Sequence, residues 1–332
     1  MTIIYAVILF AILIFPHELG HFLVAKAVGV KVNEFAFGMG PAIFKKQGKE
    51  TLYAIRIFPI GGYCAMEGEN EESDSSRAFN NKPMWAKIAV LLAGSAMNVV
   101  IAIITLSIIM GIAGSATTTI DTVQNNSPAL EAGIQSGDEI ISIDGNSVEK
   151  WSDLTTYLTT KDSKVEVGLL RDGTELTLVS ETRKADDGTD RYVIGITPKI
   201  SHNVFTAAGN GCKSAWNMTK TMYYSIKMLV AGEVSTKEIT GPVGMVTLVS
   251  DTSKYGLGYF ASLLALISLN LAIVNMLPLP ALDGGRILFV IIRRITGKMI
   301  SDQLEGTIHG AGLILLFGFM IFVTWNDITR LI

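Results

Sequence analysis

Phe15-Pro16-His17-Glu18-Leu19-Gly20-His21-Phe22 is the stretch around which the chain is organised. It contains His-Glu-x-x-His, and it lies in a mostly apolar run from Ile3 to Val28. On a helix, residues four apart share one face. His17 and His21 then reach the same metal ion, and Glu18 stands beside it to take a proton from water. That is the arrangement of zinc hydrolases. Ionisable groups inside a membrane helix cost about 2.5–3.5 kcal/mol each, and they mark functional positions.

The rest of the composition agrees with a membrane location. The chain has 332 residues, of which 49% are hydrophobic, and its mean hydropathy is +0.42. A net charge of −3 gives no reason to expect nucleic acid. Cys64 and Cys212 are far apart and form no Cys-x-x-Cys pair, so neither a disulfide framework nor a thiolate metal site is expected. No Lys or Arg precedes the first apolar run, so it reads as a retained membrane helix rather than a signal peptide.

Four stretches are long enough, or nearly so, to cross a bilayer: Ile3–Val24, Ile88–Ala113, Leu257–Leu282 and Ile308–Val323. The loop between the first two holds nine Lys or Arg, and Arg286, Arg293, Arg294 and Lys298 follow the third. Basic loops stay in the cytoplasm, so residues 26–87 and 284–306 are expected inside and 114–256 outside. Phe35–Phe44 and Thr51–Phe58 are rich in strand formers. Pro59-Ile60-Gly61-Gly62 interrupts, and Tyr63–Met66 resumes before an acidic tail, Glu67–Ser76. Ile55, Ile57, Phe58 and Ile60 are too apolar for a solvated loop, so this hairpin is expected to dip toward the membrane.

The outer segment reads as a compact β-rich domain. Thr118–Val123, Asp138–Ile143, Val165–Leu170, Glu175–Ser180 and Tyr192–Thr197 have strand character. Asp144-Gly145 and Asp172-Gly173 are turn signals, and Trp151–Leu158 has helical spacing. Val204–Val230 reads as an amphipathic helix, lying on the outer surface or packed on the soluble domain. Gly241-Pro242-Val243-Gly244 marks a break.

A catalytic zinc takes three protein ligands and leaves a position open. His202 is on the wrong side. His309 and Asp283 both lie at a suitable depth. Asp283 closes Asn275-Met276-Leu277-Pro278-Leu279-Pro280-Ala281-Leu282-Asp283-Gly284-Gly285, where prolines and glycines break the helix. Broken helix is tolerated in a membrane where it lines a cavity.

His-Glu-x-x-His in a first membrane helix, with Leu-Pro-x-Pro-Ala-Leu-Asp-Gly-Gly closing a later one, resembles the site-2 protease family of intramembrane zinc metalloproteases. Ser127-Pro128-Ala129 and the run Gly137–Gly145 are similar to the bacterial PDZ pattern. Ala93-Gly94-Ser95-Ala96-Met97-Asn98 and Gly241–Gly244 also match the RseP-like branch, here with one PDZ domain. The resemblance implies an α-helical polytopic membrane protein with about four transmembrane helices, a membrane-associated β-hairpin and one extracytoplasmic PDZ-like domain. It divides the chain at 1–113, 114–200, 201–256 and 257–332. It implies Zn2+ held by His17, His21 and Asp283, with Glu18 as general base and Asn275 bonding the substrate backbone. It makes Thr51–Met66, with Ile55, Ile57, Gly61 and Gly62, an edge strand for substrate. Pro16 and Ser95 depart from the family's usual residues. Substrates of that class are single-span membrane proteins already trimmed outside, such as anti-sigma factors and signal-peptide remnants, with the PDZ domain excluding untrimmed ectodomains or binding a new terminus. The implied location is the plasma membrane, with the active site near the cytoplasmic side. A silent PDZ scaffold and a metal transporter are the rival classes, and the chain shows no inverted repeat of the kind transporters carry.

Overall fold

The computed structural model describes the chain apart from residues 1, 70–72, 160, 162, 186–187, 234–239, 297–301 and 332. Part of the acidic tail and Lys298 therefore lie outside the described residues. In chain order the elements begin with α1 (Thr2–Ala27), β1 (Val32–Gln47), β2 (Leu52–Met66), α2 (Met84–Ala113), β3 (Ser115–Val123) and α3 (Pro128–Glu131). Next come β4 (Glu139–Ile143), β5 (Asn146–Ser147), α4 (Trp151–Thr159), β6 (Val165–Arg171), β7 (Thr174–Ser180), β8 (Arg183–Lys184), β9 (Tyr192–Val193) and β10 (Ile196–Ser201). Five helices finish the chain: α5 (Val204–Val230), α6 (Pro242–Lys254), α7 (Leu257–Asn275), α8 (Asp283–Thr296) and α9 (Asp302–Leu331). They form two units, one of Met1–Ile109 with Asn210–Ile332 and one of Met110–Gly209.

Among the described residues, four helical stretches are long and apolar enough to cross a membrane: Val7–Ala27, Met84–Ala113, Leu257–Asn275 and Leu304–Arg330. The third is shorter than the sequence suggests. α7 stops at Asn275, because Pro278 and Pro280 lack an N–H and push the residues before them out of helical geometry. Asp283 therefore opens α8 instead of closing the third span. The region after it, read from sequence as a basic loop, is a helix. Ile287 and Val290 of α8 pack on a core that includes Ala25, Val30, Phe35 and Val90. A second helix replaces the expected break at Gly241. There Pro242 starts α6, and the buried Asp327 of α9 accepts the N–H of Gly241 (3.1 Å) and Gly244 (2.8 Å). One face of α5 packs on α2 and α7. Its Ala215, Met218 and Met222 join Ala102, Leu106, Ala265 and Leu269 of α2 and α7 in one cluster.

The hairpin is more folded than two strands. β1 and β2 are long and bent, so each pairs twice. Val32–Phe37 takes Gly62–Met66 on one side, with Val32 opposite Met66 and Phe37 opposite Gly62. On its other side it takes Leu52–Ile55, which in turn pairs with Phe44–Gln47. Ile55 lies opposite both Phe37 and Phe44, so it is interior to the pairing and not the edge residue that the sequence reading made it. Phe15 of α1 meets Phe35 and Phe37 edge-on, with ring centroids 5.8 and 5.9 Å apart, which fixes the hairpin to the helix. At its outer end Ile43, Phe44, Ile57 and Phe58 are all more than half exposed. An apolar patch of that kind belongs against lipid or a partner.

The second unit is a six-stranded sheet, ordered β10-β3-β4-β6-β7 with β5 paired to β4. Its core gathers Ile120, Ile140, Ile143, Leu154, Val165, Val167, Leu169 and Ile194. The two Asp-Gly signals are realised as turns in which both residues have positive φ: Asp144 48° and Gly145 77°, Asp172 49° and Gly173 79°. The expected strand Tyr192–Thr197 is broken at Gly195, whose φ is 85°. β9 pairs with β8, and β10 crosses to β3.

Asp138 is 1% exposed, and Arg171 bonds it through Nε (2.7 Å) and Nη2 (2.8 Å). The Arg171 guanidinium holds the Asp138 carboxyl below the usual carboxylate range. A carboxyl whose folded value is depressed stabilises the fold above its unfolded pKa of about 3.9, and that contribution is lost as pH falls through the folded value. Removing the cation should cost about 2–3 kcal/mol, below the figure for a fully buried pair because Arg171 is partly in water. Hydrogen exchange on the full chain should show Arg171→Ala lowering amide protection in β4 and β6 at pH 7, with the difference from the unaltered chain shrinking as pH is taken below about 3.9.

Candidate metal centre

His17 and His21 lie on successive turns of one unbroken helix, and Pro16 is accommodated without ending it. Their Nε2 atoms are 3.2 Å apart. Asp283 Oδ2 stands 3.5 Å from His17 Nε2 and 3.4 Å from His21 Nε2. Both imidazoles are buried, and Asp283 Oδ2 is a buried oxygen without a hydrogen-bond partner among the described residues. No other group of His, Cys, Asp and Glu converges in this way among them. Two imidazole nitrogens and a carboxylate oxygen that turn their lone pairs on one another repel unless a proton or a metal ion lies between them. Two imidazoles and a carboxylate are also a catalytic zinc's donor set. The residues present therefore fit zinc.

Close helix packing makes the cluster possible. A Cβ at Gly94 would come 2.3 Å from His21 Nε2 and 2.6 Å from His17 Cε1. One at Gly20 would come 2.3 Å from the Ala93 carbonyl oxygen. α2 can thus lie directly on the two histidines only because both positions lack a side chain. Asp283 arrives through the broken segment Met276–Leu282. Ala281 there has φ 72°, and its N–H donates to His309 Nδ1 at 2.8 Å. His309 therefore braces the segment that carries Asp283 and is not itself in the cluster.

The other expected site residues divide. Asn275, the last residue of α7, places Nδ2 3.3 Å from His17 Nε2. Glu18 is within electrostatic reach of both histidines and Asp283. A Cβ at Gly62 would touch Glu18 Cγ at 3.4 Å, and Gly61 precedes it with φ 90°. Gly62–Met66 pairs with β1 on one side and with no strand on the other among the described residues. The edge beside Glu18 is therefore Gly61–Met66. Ile57 lies on the half-exposed apolar end, and Ile55 lines a groove with Ala11, Ile12 and Phe15 of α1. Cys64 is a free, buried thiol whose pKa burial pushes up to about 12, so it offers no thiolate at neutral pH.

Sequence reasoning gave no role to Asn98, Gly94 or the Val90 carbonyl. Asn98 left a signal: an amide in the middle of an apolar helix has to be satisfied by something.

The whole of residues 5–319 matches the model for peptidase family M50. A Clostridium acetobutylicum protein described as a zinc metalloprotease is 38% identical, over 98% of this chain and 97% of its own. A Fusobacterium nucleatum protein so described is 35% identical, over 100% of this chain and 99% of its own. The regulator of sigma-W protease RasP of Bacillus subtilis is 29% identical over 99% of both. A solved PDZ domain of an SdrC-like protein from Listeria monocytogenes covers 26% of this chain and 86% of its own, at 22% identity and a TM-score of 0.22.

Adding one methyl at Gly94 must push a histidine aside. Overpacking of this kind costs about 1–3 kcal/mol, so zinc should bind roughly tenfold or more weakly. Gly310→Ala, where a Cβ would meet nothing within 4 Å, is the matched control. Elemental analysis after dialysis against a weak chelator should find zinc lost from Gly94→Ala and kept by Gly310→Ala.

Proposed function

The chain belongs to peptidase family M50, the site-2 proteases, and is a zinc metalloendopeptidase, and from that premise we propose that it cuts single-span membrane proteins within or beside their membrane segment. The observation that carries this reading is the convergence of His17, His21 and Asp283 next to Glu18 and an open strand edge. His17, His21 and Asp283 would hold the ion. When bound, zinc acidifies water toward neutral pH and polarises the scissile carbonyl. Glu18 takes the proton of the attacking water and passes it to the leaving amine. Asn275, with its amide aimed at the cluster, donates to the developing oxyanion or to the substrate backbone.

The substrate must present an extended backbone, because the carbonyls of an α-helix are already paired. Each unpaired group in low dielectric costs several kcal/mol. Gly61–Ala65 offers N–H and C=O groups that no second strand takes among the described residues, while the Met66 N–H already donates to Glu69 Oε2; a strand added beside Glu18 there has its backbone satisfied. The opposite edge carries Lys45 and Lys46, charges of the kind that discourage strand addition.

The four apolar helices and the basic segments between the first and second and between the third and fourth favour a multi-pass plasma-membrane protein. Residues 26–87 and the metal site lie toward the cytoplasm, and the β-rich unit lies outside. That unit is PDZ-like on its sequence pattern. Its role is to admit trimmed substrates, by excluding ectodomains or by binding the new terminus that a first cut creates. Anti-sigma factors and signal-peptide remnants are the substrate classes. A relative named as a regulator of sigma-W protease supports the first of them.

Glu18→Gln should keep zinc and lose cleavage by roughly 10²–10⁴-fold. Full turnover of a single-span substrate by that variant contradicts the mechanism. Replacing Gly, Pro or Asn near the cut by Leu should slow cleavage, since such helices unwind less readily. Sidedness is checked by labelling a chain with Cys64 and Cys212 replaced by Ser. A cysteine at Asp190 should react from outside and one at Asp74 should not; the reverse pattern overturns the topology.

A further inference from the structure

A neutral imidazole carries one N–H and one lone pair, and its two nitrogens cannot exchange roles without a change of tautomer. If Nε2 of each histidine faces the ion, each Nδ1 must carry the proton, and each Nδ1–H needs an acceptor. This inference rests on the zinc reading of the cluster and names the group that orients its first ligand.

His21 has its acceptor. The Val90 carbonyl oxygen lies 2.7 Å from His21 Nδ1, buried. At His17 the polar atom facing Nδ1 is Asn98 Nδ2, at 3.5 Å. Written so, two donors face each other. The other atom of the same amide, Asn98 Oδ1, is buried with no hydrogen-bond partner among the described residues, on a side chain that is 0% exposed. The two ends of an amide have nearly the same shape, and which is oxygen is decided by the hydrogen-bond network. Exchanging them sets the carbonyl oxygen against His17 Nδ1–H. That removes the donor clash at His17 Nδ1 and gives the amide oxygen a donor.

We propose that Asn98 is the positioning residue of His17: its side-chain carbonyl accepts the Nδ1 proton and leaves Nε2 free for the metal. The surroundings hold Asn98 for that task. Ser268 of α7 donates to its backbone carbonyl at 2.8 Å, and Ser268 is itself fully buried. Val90, Gly94 and Asn98 follow one another at intervals of four, so they form one stripe of α2. The first takes the proton of His21, the second clears room for both rings, and the third takes the proton of His17. One helix face thus sets the tautomer of both imidazole ligands.

The test measures zinc affinity of the full chain in detergent by competition with a chromophoric chelator, for the unaltered chain, Asn98→Leu and Asn98→Asp. Loss of a metal ligand's hydrogen-bond partner costs about 10–100-fold in affinity. Asn98→Leu is expected to lose that much. Asn98→Asp, which only accepts, is expected to bind zinc at least as tightly as the unaltered chain. Equal weakening by both variants overturns the proposal, because a donor role would be lost in both. So does no weakening by Leu. Nitrogen-15 spectra of the zinc-loaded, unaltered chain are independent of how the variants fold. They should show His17 Nδ1 protonated, and an unprotonated Nδ1 also overturns the proposal. If the unaltered chain takes up no zinc that His17→Ala loses, the site reading itself fails, and Asn98's role fails with it.

Discussion

Everything else in this chain serves one electrostatic demand. Two imidazole nitrogens 3.2 Å apart and a carboxylate oxygen about as close must be held together inside a bundle of apolar helices. With their lone pairs turned inward and neither proton nor metal between them they repel, and low dielectric magnifies the repulsion. Long side chains between helices would keep them apart. The chain answers with absences: Gly20 and Gly94 let α1 and α2 touch at the histidines. It brings the third donor in on backbone that is not helical, where Pro278 and Pro280 stop α7 and Asp283 begins α8. Gly284 and Gly285 make that turn possible, since a Cβ at either would lie 2.1–2.3 Å from carbonyl oxygens of Met276 and Leu279.

Under the proposed function, the same low dielectric shapes what the enzyme must do to a helical substrate. A helix hides its carbonyls, and a strand edge supplies partners for them once it opens. The hairpin meets this by bending each of its strands, so that the segment nearest Glu18 is an edge poor in charge and rich in glycine. Phe15, packed against Phe35 and Phe37, ties that edge to the helix that carries the ligands. The two histidines, Glu18 and the edge therefore share one support.

The chemistry was legible because its residue types are rare in apolar sequence. His17, Glu18 and His21 stand out in their helix, and Asp283 stands out in a Pro-Gly break. The Asp-Gly turns were legible for a local reason, positive φ at two adjacent positions. What escaped was set by tertiary packing. α8 carries Arg286, Arg293 and Arg294, and from sequence these outweigh the apolar face that packs under the hairpin. α6 begins at Gly241-Pro242, a pair that marks breaks as well as helix starts, and only Asp327 from the far end of the chain decides between them. Ile55 has edge-like composition, but its second partner, Phe44, comes from a bend in β1 that no local pattern announces. Asn98 could be noticed, yet what it faces is 81 positions away in sequence.

The central claim is that one zinc is held by two imidazoles and one carboxylate in this bundle. X-ray absorption at the zinc edge of the purified full chain examines the ligand set directly. The structure predicts a first shell of nitrogen and oxygen alone, with the multiple-scattering signature of two imidazoles. Sulfur in that shell would assign the ion to Cys64 or Cys212, and a third imidazole would bring in His309 in place of Asp283. Either result contradicts the site described here.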